Sequence, residues 1–186
     1  MPSPGIHIRL NSASAQAAIR RLKGRAPRAV SRALNRSIKS GRTRWVRDIS
    51  QDIKIKQAVV RERVLIREAT PATLRAELNA SLRRIPLIDF GASGPEPSGG
   101  RGRGVSYKIG SSRKRLPHAF IARMRSGHRG VFARVRRARL PITELHGPSI
   151  GHVFMKHLPA GRERAREALT KNLQHELKFA ISESAG

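Results

Sequence analysis

The sequence predicts an α+β fold, in which a mainly antiparallel β-sheet is packed by a long N-terminal helix and a C-terminal helix. Two observations lead to this prediction. Both end segments carry apolar residues at helical spacing, whereas residues 64–154 between them contain runs in which apolar and polar residues alternate. A chain of 186 residues is long enough for one domain with a substantial core, so we predict a single domain over residues 1–186.

The strongest strand signal is a pair of alternating runs, Ala119–Met124 and Val131–Val135. In each run the side chains divide between two faces with the period of two that is typical of a half-buried strand. Gly127 and Gly130 mark a turn between the runs. The pair therefore predicts a β-hairpin. Because two strands alone are at best marginally stable in water, the rest of the chain must supply a larger sheet and its cover.

The N-terminal segment, residues 11–53, predicts two helices after a short extended lead. Asn11 or Ser12 can cap the first helix and Gly24 can end it. The second is predicted over Pro27–Ile53, because its apolar residues recur at spacings of about four and seven and form one stripe that is expected to cover the sheet. Its arginines and lysines lie mostly beside or opposite this stripe. They form either an ordinary solvated face or a contact with DNA or with an acidic subunit.

The segment after this helix predicts a short helix over Lys56–Arg63 and a strand over Val64–Ala69. Leu74–Leu82 fits both a strand and a helix, because its apolar residues alternate strictly while its three leucines are also four residues apart. We predict a strand here, since the segment is short and leads directly into the apolar run Ile85–Phe90.

The second half of the sheet follows a glycine-rich segment, Gly91–Gly104, which is too poor in apolar residues to pack and is predicted to be a flexible loop. Val105–Ile109 then predicts a strand, and Ser111–Arg115 a basic turn that leads into the hairpin. A C-terminal helix is predicted over Ala160–Ile181, introduced by Pro159, because its apolar residues again recur at helical spacing.

The composition is strongly basic, with 39 lysines and arginines against 12 acidic residues and a formal charge of +27. Residues 1–54 carry +11, from 13 basic and 2 acidic residues, and residues 91–140 carry +12, from 13 basic and 1 acidic residue. A field of this sign favours nucleic acid, an anionic membrane surface or an acidic protein as the partner, without selecting among them. The charge is also compatible with a simpler role, which is to keep an assembly subunit soluble.

Several classes of protein are disfavoured by the sequence. The chain has no cysteine, so disulfides and thiolate metal sites are excluded. No apolar run approaches the roughly 20 residues that cross a bilayer, and the N-terminal residues lack the apolar core of a signal peptide, so we predict no membrane partner. The protein is expected to stay in the cytoplasm until it joins its assembly.

Gly147–Gly151 matches the G-x-S-x-G pattern of a hydrolase nucleophile elbow, with Ser149 in the serine position. Glu163 and His175 follow in the order of a catalytic triad. The context disagrees, because a proline directly precedes the serine, little chain follows it and no parallel α/β frame leads up to it. We interpret the motif as a turn in which Ser149 makes a local hydrogen bond, and we predict no catalytic residue and no enzyme activity.

Three histidines near Glu144, at positions 146, 152 and 157, are the residues that a metal site would use. Their spacings of six and five do not place them on one helical face, and they match no known zinc signature. The run Gly99–Gly104 has neither the dinucleotide-binding nor the phosphate-loop spacing. We therefore predict no metal and no cofactor, and we interpret this run only as a flexible arginine arm that could touch phosphates or a subunit.

A family resemblance is carried by the hairpin and the segment after it. The residues concerned are Ala119-Phe120-Ile121-Ala122, then Gly130 to Arg134, then Leu140-Pro-Ile-Thr-Glu-Leu-His-Gly-Pro-Ser-Ile150. Their order resembles the signature region of the prophage minor tail protein Z family, whose members are tail-completion proteins of lambda-like long-tailed phages. Looser similarity extends through Ala33–Arg36 and Ile85–Phe90 and so covers most of the chain before the C-terminal helix.

The resemblance implies a virion structural protein that acts late in tail assembly, at the head-proximal end, or neck, of the tail. The implied partners are the tail terminator, the tail tube and the head-tail connector proteins. By analogy with other proteins of that region, a sixfold homo-oligomeric ring is expected. Assembly would take place in the host cytoplasm, and the final location would be the tail of the virion.

Two groups of contact residues are predicted. Five basic residues are expected to line a lumen and to hold or guide packaged double-stranded DNA during retention and ejection: Arg101, Arg103, Arg113, Lys114 and Arg115. Because few aromatic residues remain outside the core, this contact should reach the DNA backbone regardless of base sequence. The turn with Gly127, His128 and Gly130 is the second group, as a contact with another subunit or a neighbouring protein.

A non-viral, basic nucleic-acid-binding protein of ribosomal or chromatin type is the alternative that the charge alone would favour. Such a protein would bind duplex DNA or RNA tightly, lose affinity steeply as the salt concentration rises, and remain a monomer or dimer. A tail component would instead form rings or attach to tube ends.

Overall fold

The computed structural model describes residues 5–10, 26–96, 104–136 and 138–182. These residues form three helices, α1 (Ala26–Ile53), α2 (Gln57–Arg63) and α3 (Ile150–Ser182). They also form ten strands, β1 (Gly5–Leu10), β2 (Val64–Arg67), β3 (Ala76–Ser81), β4 (Arg84–Pro86), β5 (Val105–Ile109), β6 (Ser112–Leu116), β7 (Ala119–Arg123), β8 (Arg129–Arg134), β9 (Ile142–Glu144) and β10 (His146–Ser149). A 3-10 turn, Leu87–Phe90, follows β4. The predicted α+β class is confirmed.

Helices α1 and α3 pack side by side and run in opposite directions. Arg32, early in α1, bonds to Glu176, late in α3, whereas Asp52, near the end of α1, bonds to Lys156, near the start of α3. Near the Asp52–Lys156 end of this helix pair, the ring of Trp45 packs against that of Phe154 with their centroids 5.0 Å apart. The apolar stripe of α1 therefore meets α3 as well as the strands, and this helix pair forms one side of the core.

The C-terminal helix begins earlier than the sequence predicts, so the predicted boundary after Pro159 is wrong. Helix α3 begins at Ile150 and contains Pro159 in its interior. An interior proline removes one helical hydrogen bond and costs about 3 kcal/mol. The residues before it nevertheless stay helical because Ile150, Val153 and Phe154 are buried in the core, and that burial offsets the cost.

The strands pair in antiparallel fashion throughout, as predicted, but they divide into several small sheets. The strand orders are β1-β3-β2, β10-β4, β5-β6 and β7-β8-β9. The segment Ser93–Pro95 joins the last two of these sheets. Ser93 exchanges two backbone hydrogen bonds of 2.8 Å with Ser106 in β5, and the carbonyl of Pro95 accepts a 2.9 Å bond from the N–H of Ile121 in β7.

The ambiguous segment Leu74–Leu82 is a strand, which confirms the prediction. Its central part is β3, and it lies between β1 and β2 with Ala76, Leu78 and Ala80 fully buried. Although alanine and leucine favour helices in isolation, the strict alternation of apolar and polar side chains fits a position with one face on the core. The tertiary structure thus overrides local propensity here.

The basic stretch Ser111–Arg115 is a strand rather than the predicted turn, so this prediction is wrong. Strand β6 occupies it and pairs with β5 from Val105↔Leu116 to Ile109↔Ser112. The turn is confined to Gly110 and Ser111, where a positive φ of 61° at Gly110 allows a two-residue connection. The three consecutive basic residues of this strand are all exposed.

Two predictions fall largely outside the described residues. The helix proposed over Asn11–Lys23 is one of them, and residues 97–103 of the predicted loop Gly91–Gly104 are the other. The long helix predicted over Pro27–Ile53, the short helix over Lys56–Arg63 and the strand over Val64–Ala69 are confirmed as α1, α2 and β2. Helix α1 passes through Gly41 without interruption.

Candidate functional site

The β5–β6 hairpin carries three of the five residues that were predicted to contact DNA. Arg113, Lys114 and Arg115 all lie in β6 and are exposed, whereas Arg101 and Arg103 lie outside the described residues. Successive side chains of a strand point to opposite faces. Arg113 and Arg115 therefore share one face, and Lys114 lies on the other.

The face with Arg113 and Arg115 is basic and polar. Their cross-strand partners are Lys108 and Ser106, and the guanidinium of Arg113 donates a 3.3 Å hydrogen bond to the hydroxyl of Ser106. Lys114 pairs with Tyr107, whose face also includes the buried Val105 and therefore looks toward the core. Lys108 thus lies on the same face as Arg113 and Arg115, whereas Lys114, which was predicted to act with them, lies on the opposite face.

Strand β6 is also an edge strand. Within the described part of the chain it pairs with β5 alone. Its outer row of backbone N–H and C=O groups is therefore available to pair with an extended segment of another chain.

The turn between β7 and β8 is well ordered by internal hydrogen bonds. The N–H of Met124 donates to the carbonyl of His128 over 2.7 Å, and the N–H of Gly127, which has a φ of 83°, donates to the carbonyl of Met124 over 2.9 Å. The imidazole Nε2 of His128 lies 2.8 Å from Oε1 of Glu144 in β9. Of the three predicted contact residues, Gly127 and His128 are exposed and available to a partner.

Gly130, the third predicted contact residue, lies in β8 and packs inside the sheet. It is buried, and a Cβ at this position would lie 2.6 Å from Oε1 of Glu144 and 3.0 Å from the ring of Phe132. A larger residue here would therefore require the side chains of Glu144 and Phe132 to shift. Because Gly130 is buried, it offers little surface to a neighbouring protein.

Sequence reasoning missed three arginines at the same turn. Arg123 and Arg129 are direct cross-strand partners at the end of the hairpin, and Arg125 lies in the turn itself. All three are exposed. The signal was present in the symmetric placement of two arginines about the turn, but only the observed register shows that they face each other.

The acidic residues of the chain are mostly engaged in internal ion pairs. The carboxylates that pair with a basic side chain of the same chain are Asp48, Asp52, Glu62, Glu68, Glu77, Asp89, Glu144, Glu163 and Glu176. Among the carboxylates that pair between helices, Glu176 is the most buried, with its side chain 6% exposed. Its two oxygens lie 2.8 Å from Nε of Arg32 and 3.4 Å from Nη1 of Arg36. Arg32 and Arg36, which belong to the basic side of α1, therefore help to hold α1 against α3.

Two carboxylates have shifted pKa values, in opposite directions. Hydrogen bonds from Lys156 and His157 lower the pKa of Asp52, which joins the end of α1 to the start of α3. Burial raises the pKa of Asp89 by disfavouring its charged form, and the nearby Arg63 opposes this effect only in part. Both carboxylates serve contacts within the fold.

Ser149 lies where the nucleophile-elbow motif placed it, between a strand and a helix, but its hydroxyl caps the helix. Its Oγ accepts a 3.2 Å hydrogen bond from the N–H of His152 in the first turn of α3, and the residue is buried. Glu163 and His175 lie about 20 and 40 Å farther along α3, at about 1.5 Å per residue. The three residues do not converge on a triad, and the predicted local hydrogen bond of Ser149 is confirmed.

Replacing Ser149 with alanine is expected to lower the free energy of unfolding by about 1 kcal/mol, because the first turn of α3 loses its side-chain cap. Thermal unfolding followed by circular dichroism measures this loss. Substitution with threonine, which keeps the hydroxyl, should restore most of it. A stability unchanged in the alanine variant, or a loss of ester hydrolysis by it, would contradict the capping role.

Two further features bear on function. Among the described residues, no three histidine, aspartate or glutamate side chains come together as metal ligands. None of the helices described here is long and apolar enough to cross a membrane.

Comparison with known proteins identifies the family. A family model described as prophage minor tail protein Z matches residues 13–183. The chain is also 26% identical over 140 residues to the tail completion protein of Escherichia phage N15, which covers 72% of this chain and 75% of that protein. No solved structure matches. With nearly its whole length matched, the chain belongs to the prophage minor tail protein Z family and is a structural protein of phage tails.

Proposed function

We propose that this protein completes the tail at its head-proximal end, or neck, as a homo-oligomeric ring that contacts the tail tube, the tail terminator and the head-tail connector. The family match over residues 13–183 carries the proposal, and the name of the phage N15 relative, a tail completion protein, supports the stage of assembly. Assembly would occur in the host cytoplasm before the protein enters the virion. This role also accounts for a strongly basic chain without a ribosomal or chromatin function.

The charge distribution supports contact with a polyanion in the assembled state. A formal charge of +27 per chain means that copies in a ring repel one another unless anions lie nearby. Most carboxylates of the chain already pair with basic side chains of the same chain, so they do not neutralise the positive charge of a neighbouring copy. Packaged double-stranded DNA passing through the ring would supply the missing negative charge.

We assign the DNA contact to the β5–β6 hairpin, with Arg113 and Arg115 on its outward face beside Lys108. Arg101 and Arg103 remain part of the proposed basic lumen. Lys114 is expected to contribute less, because its side chain leaves the hairpin from the opposite face.

Electron microscopy of the purified protein, alone and mixed with tail tubes, tests the ring. Rings of uniform diameter, or density capping one end of the tube, are the expected result. Monomers that never associate with tube ends would contradict the proposed place in the tail.

Replacing both Arg113 and Arg115 with glutamine is expected to weaken binding to a 20-base-pair duplex and to reduce the slope of log K against log salt concentration by about 2, because each arginine would neutralise one phosphate. Fluorescence anisotropy over a range of salt concentrations measures the slope. A matched control, R162Q/K178Q, removes two exposed charges from α3. K114Q tests the assignment of faces and should change the slope by clearly less than R113Q.

Equal losses of DNA affinity in R113Q/R115Q and in the α3 control would contradict the proposed DNA contact, because the affinity would then depend on net charge alone. In phage carrying R113Q/R115Q, normal tails with reduced DNA retention or ejection are the expected phenotype. Wild-type infectivity of that phage would also contradict the assignment.

A further inference from the structure

The end of the β7–β8 hairpin places two positive charges directly opposite each other. Arg123 and Arg129 are the last cross-strand pair before the turn, and both side chains are exposed. Side chains at opposed positions share one face, with Cβ atoms about 5 Å apart. Like charges in this arrangement destabilise an isolated hairpin, so the pair is unfavourable for the subunit alone.

Nothing in the described part of the chain neutralises this pair. The side chains of Arg123, Arg125 and Arg129 make no ion pair or hydrogen bond with any described residue. The acid that is nearest along the sheet, Glu144, is already bonded to His128 and lies 3.9 Å from His146. The three arginines are therefore free to bind an external anion.

The turn that carries these arginines is held in one conformation. Two backbone hydrogen bonds close it, and the contact between His128 and Glu144 fixes its tip against β9. The ring of His128 also meets the ring of Phe132 edge-on, with the centroids 6.4 Å apart. Because the backbone is already ordered, binding here costs little backbone conformational entropy.

We propose that Arg123 and Arg129, assisted by Arg125, bind a cluster of carboxylates on the surface of a different, acidic tail protein. Two guanidinium groups on one face can each donate paired hydrogen bonds to a carboxylate, which lysine cannot do. This inference rests on the proposed function, in which the protein contacts other tail proteins, and it deepens the predicted contact role of the turn by naming the chemistry of the partner. The partner relieves the repulsion between the two arginines, so docking and local stabilisation occur together.

A second copy of this chain is a poor partner for this site, because nine of its carboxylates are paired internally and each copy is strongly basic. The proposed DNA contact lies on the β5–β6 hairpin, which belongs to a different sheet, so duplex DNA is not needed to account for the arginines at this turn. Three exposed arginines at one turn resemble the small contact clusters of protein interfaces, where arginine is enriched.

The test uses the full chain and a fluorescently labelled peptide of ten glutamates as the probe. R123Q/R129Q is expected to weaken peptide binding at least about tenfold, because it removes two charge-assisted contacts. R162Q/K178Q lowers the net charge equally at exposed sites on α3 and should weaken binding less than about threefold. R123K/R129K keeps both charges and should give an intermediate loss. Thermal melts of all variants confirm that each remains folded.

Equal weakening in the hairpin variant and the α3 control would overturn the proposal, since the peptide would then respond to net charge only. A variant that loses binding to a 20-base-pair duplex more than binding to the peptide would also overturn it in favour of DNA. Tail incorporation of the protein is scored separately by immunoblot of purified virions. Incorporation without selective peptide binding refutes this inference alone, whereas selective binding by a protein absent from tails refutes the proposed function alone.

Discussion

Replacing Gly161 with alanine is expected to lower the free energy of unfolding by about 2–3 kcal/mol, although alanine favours helices more than glycine by about 1 kcal/mol. Gly161 lies in α3 where this helix crosses Trp45 of α1. A Cβ at position 161 would come within 2.1 Å of the indole Nε1 and 2.3 Å of Cε2 and Cζ2. The indole cannot move aside easily, because it is 4% exposed and packs against Phe154. The clash therefore separates the helices or distorts the core.

Gly41 in α1 provides the matched control for this experiment, since it meets the same indole ring. A Cβ there would lie 3.5 Å from Cζ3 of Trp45, which is an ordinary contact. G41A should leave stability unchanged or raise it by up to about 1 kcal/mol through helix propensity. For G161A, the expected loss corresponds to a decrease in Tm of about 4–12 °C, measured by calorimetry. Equal melting temperatures for the two variants would contradict the close approach of the helices at Gly161.

Replacing Asn35 with alanine is expected to lower the free energy of unfolding by about 2–4 kcal/mol. The side chain of Asn35 in α1 holds the backbone of Ala69, which follows β2. Its Nδ2 donates a 2.9 Å hydrogen bond to the carbonyl of Ala69, and its Oδ1 accepts a 2.7 Å bond from the N–H of Ala69. Ala69 is buried, so alanine at position 35 would leave both backbone groups without their partner at about 1–3 kcal/mol each.

The two hydrogen bonds between Asn35 and the backbone of Ala69 are called the clamp below. Two other variants distinguish loss of the clamp from a general effect of mutation in α1. In N35D the carboxyl keeps an acceptor for the N–H of Ala69, and when it is protonated at low pH its O–H can also donate to the carbonyl of Ala69. N35D is therefore expected to lose less stability than N35A at low pH and to lose more at neutral pH, where the charged carboxylate has no donor and repels that carbonyl. T43A removes an exposed hydroxyl whose bond is to its own helix and should change stability by less than about 0.5 kcal/mol. Chemical denaturation gives all three values. A loss in N35A no larger than that in T43A would contradict the clamp.

The clamp gives a physical meaning to one part of the family resemblance. Within Ala33–Arg36, Leu34 is buried in the core, Asn35 holds Ala69, and Arg36 lies 3.4 Å from the buried carboxylate of Glu176. Successive residues of this short segment thus contact the core, the β2–β3 connection and α3. Substitutions in this short segment are therefore expected to lower the stability of the fold.

The sequence by itself was sufficient to predict the helices and strands whose apolar residues recur with a clear period. The stripe of α1 and the alternation in β3, β7 and β8 follow directly from which residues must be buried, and burial is a property of each side chain. The hairpin turn between β7 and β8 was equally predictable, because Gly127 permits the positive φ that the turn requires. The net charge of +27 is likewise a property of composition.

Other features were decided only by the tertiary structure, since they depend on what lies across from a residue. The helical state of the segment before Pro159 depends on the burial of Val153 and Phe154 beneath α1, which no local pattern records. The separation of Lys114 from Arg113 and Arg115, and the opposition of Arg123 and Arg129, depend on strand register. A shift of one residue in pairing would move each side chain to the other face, so these charged sites exist only once the chain has folded.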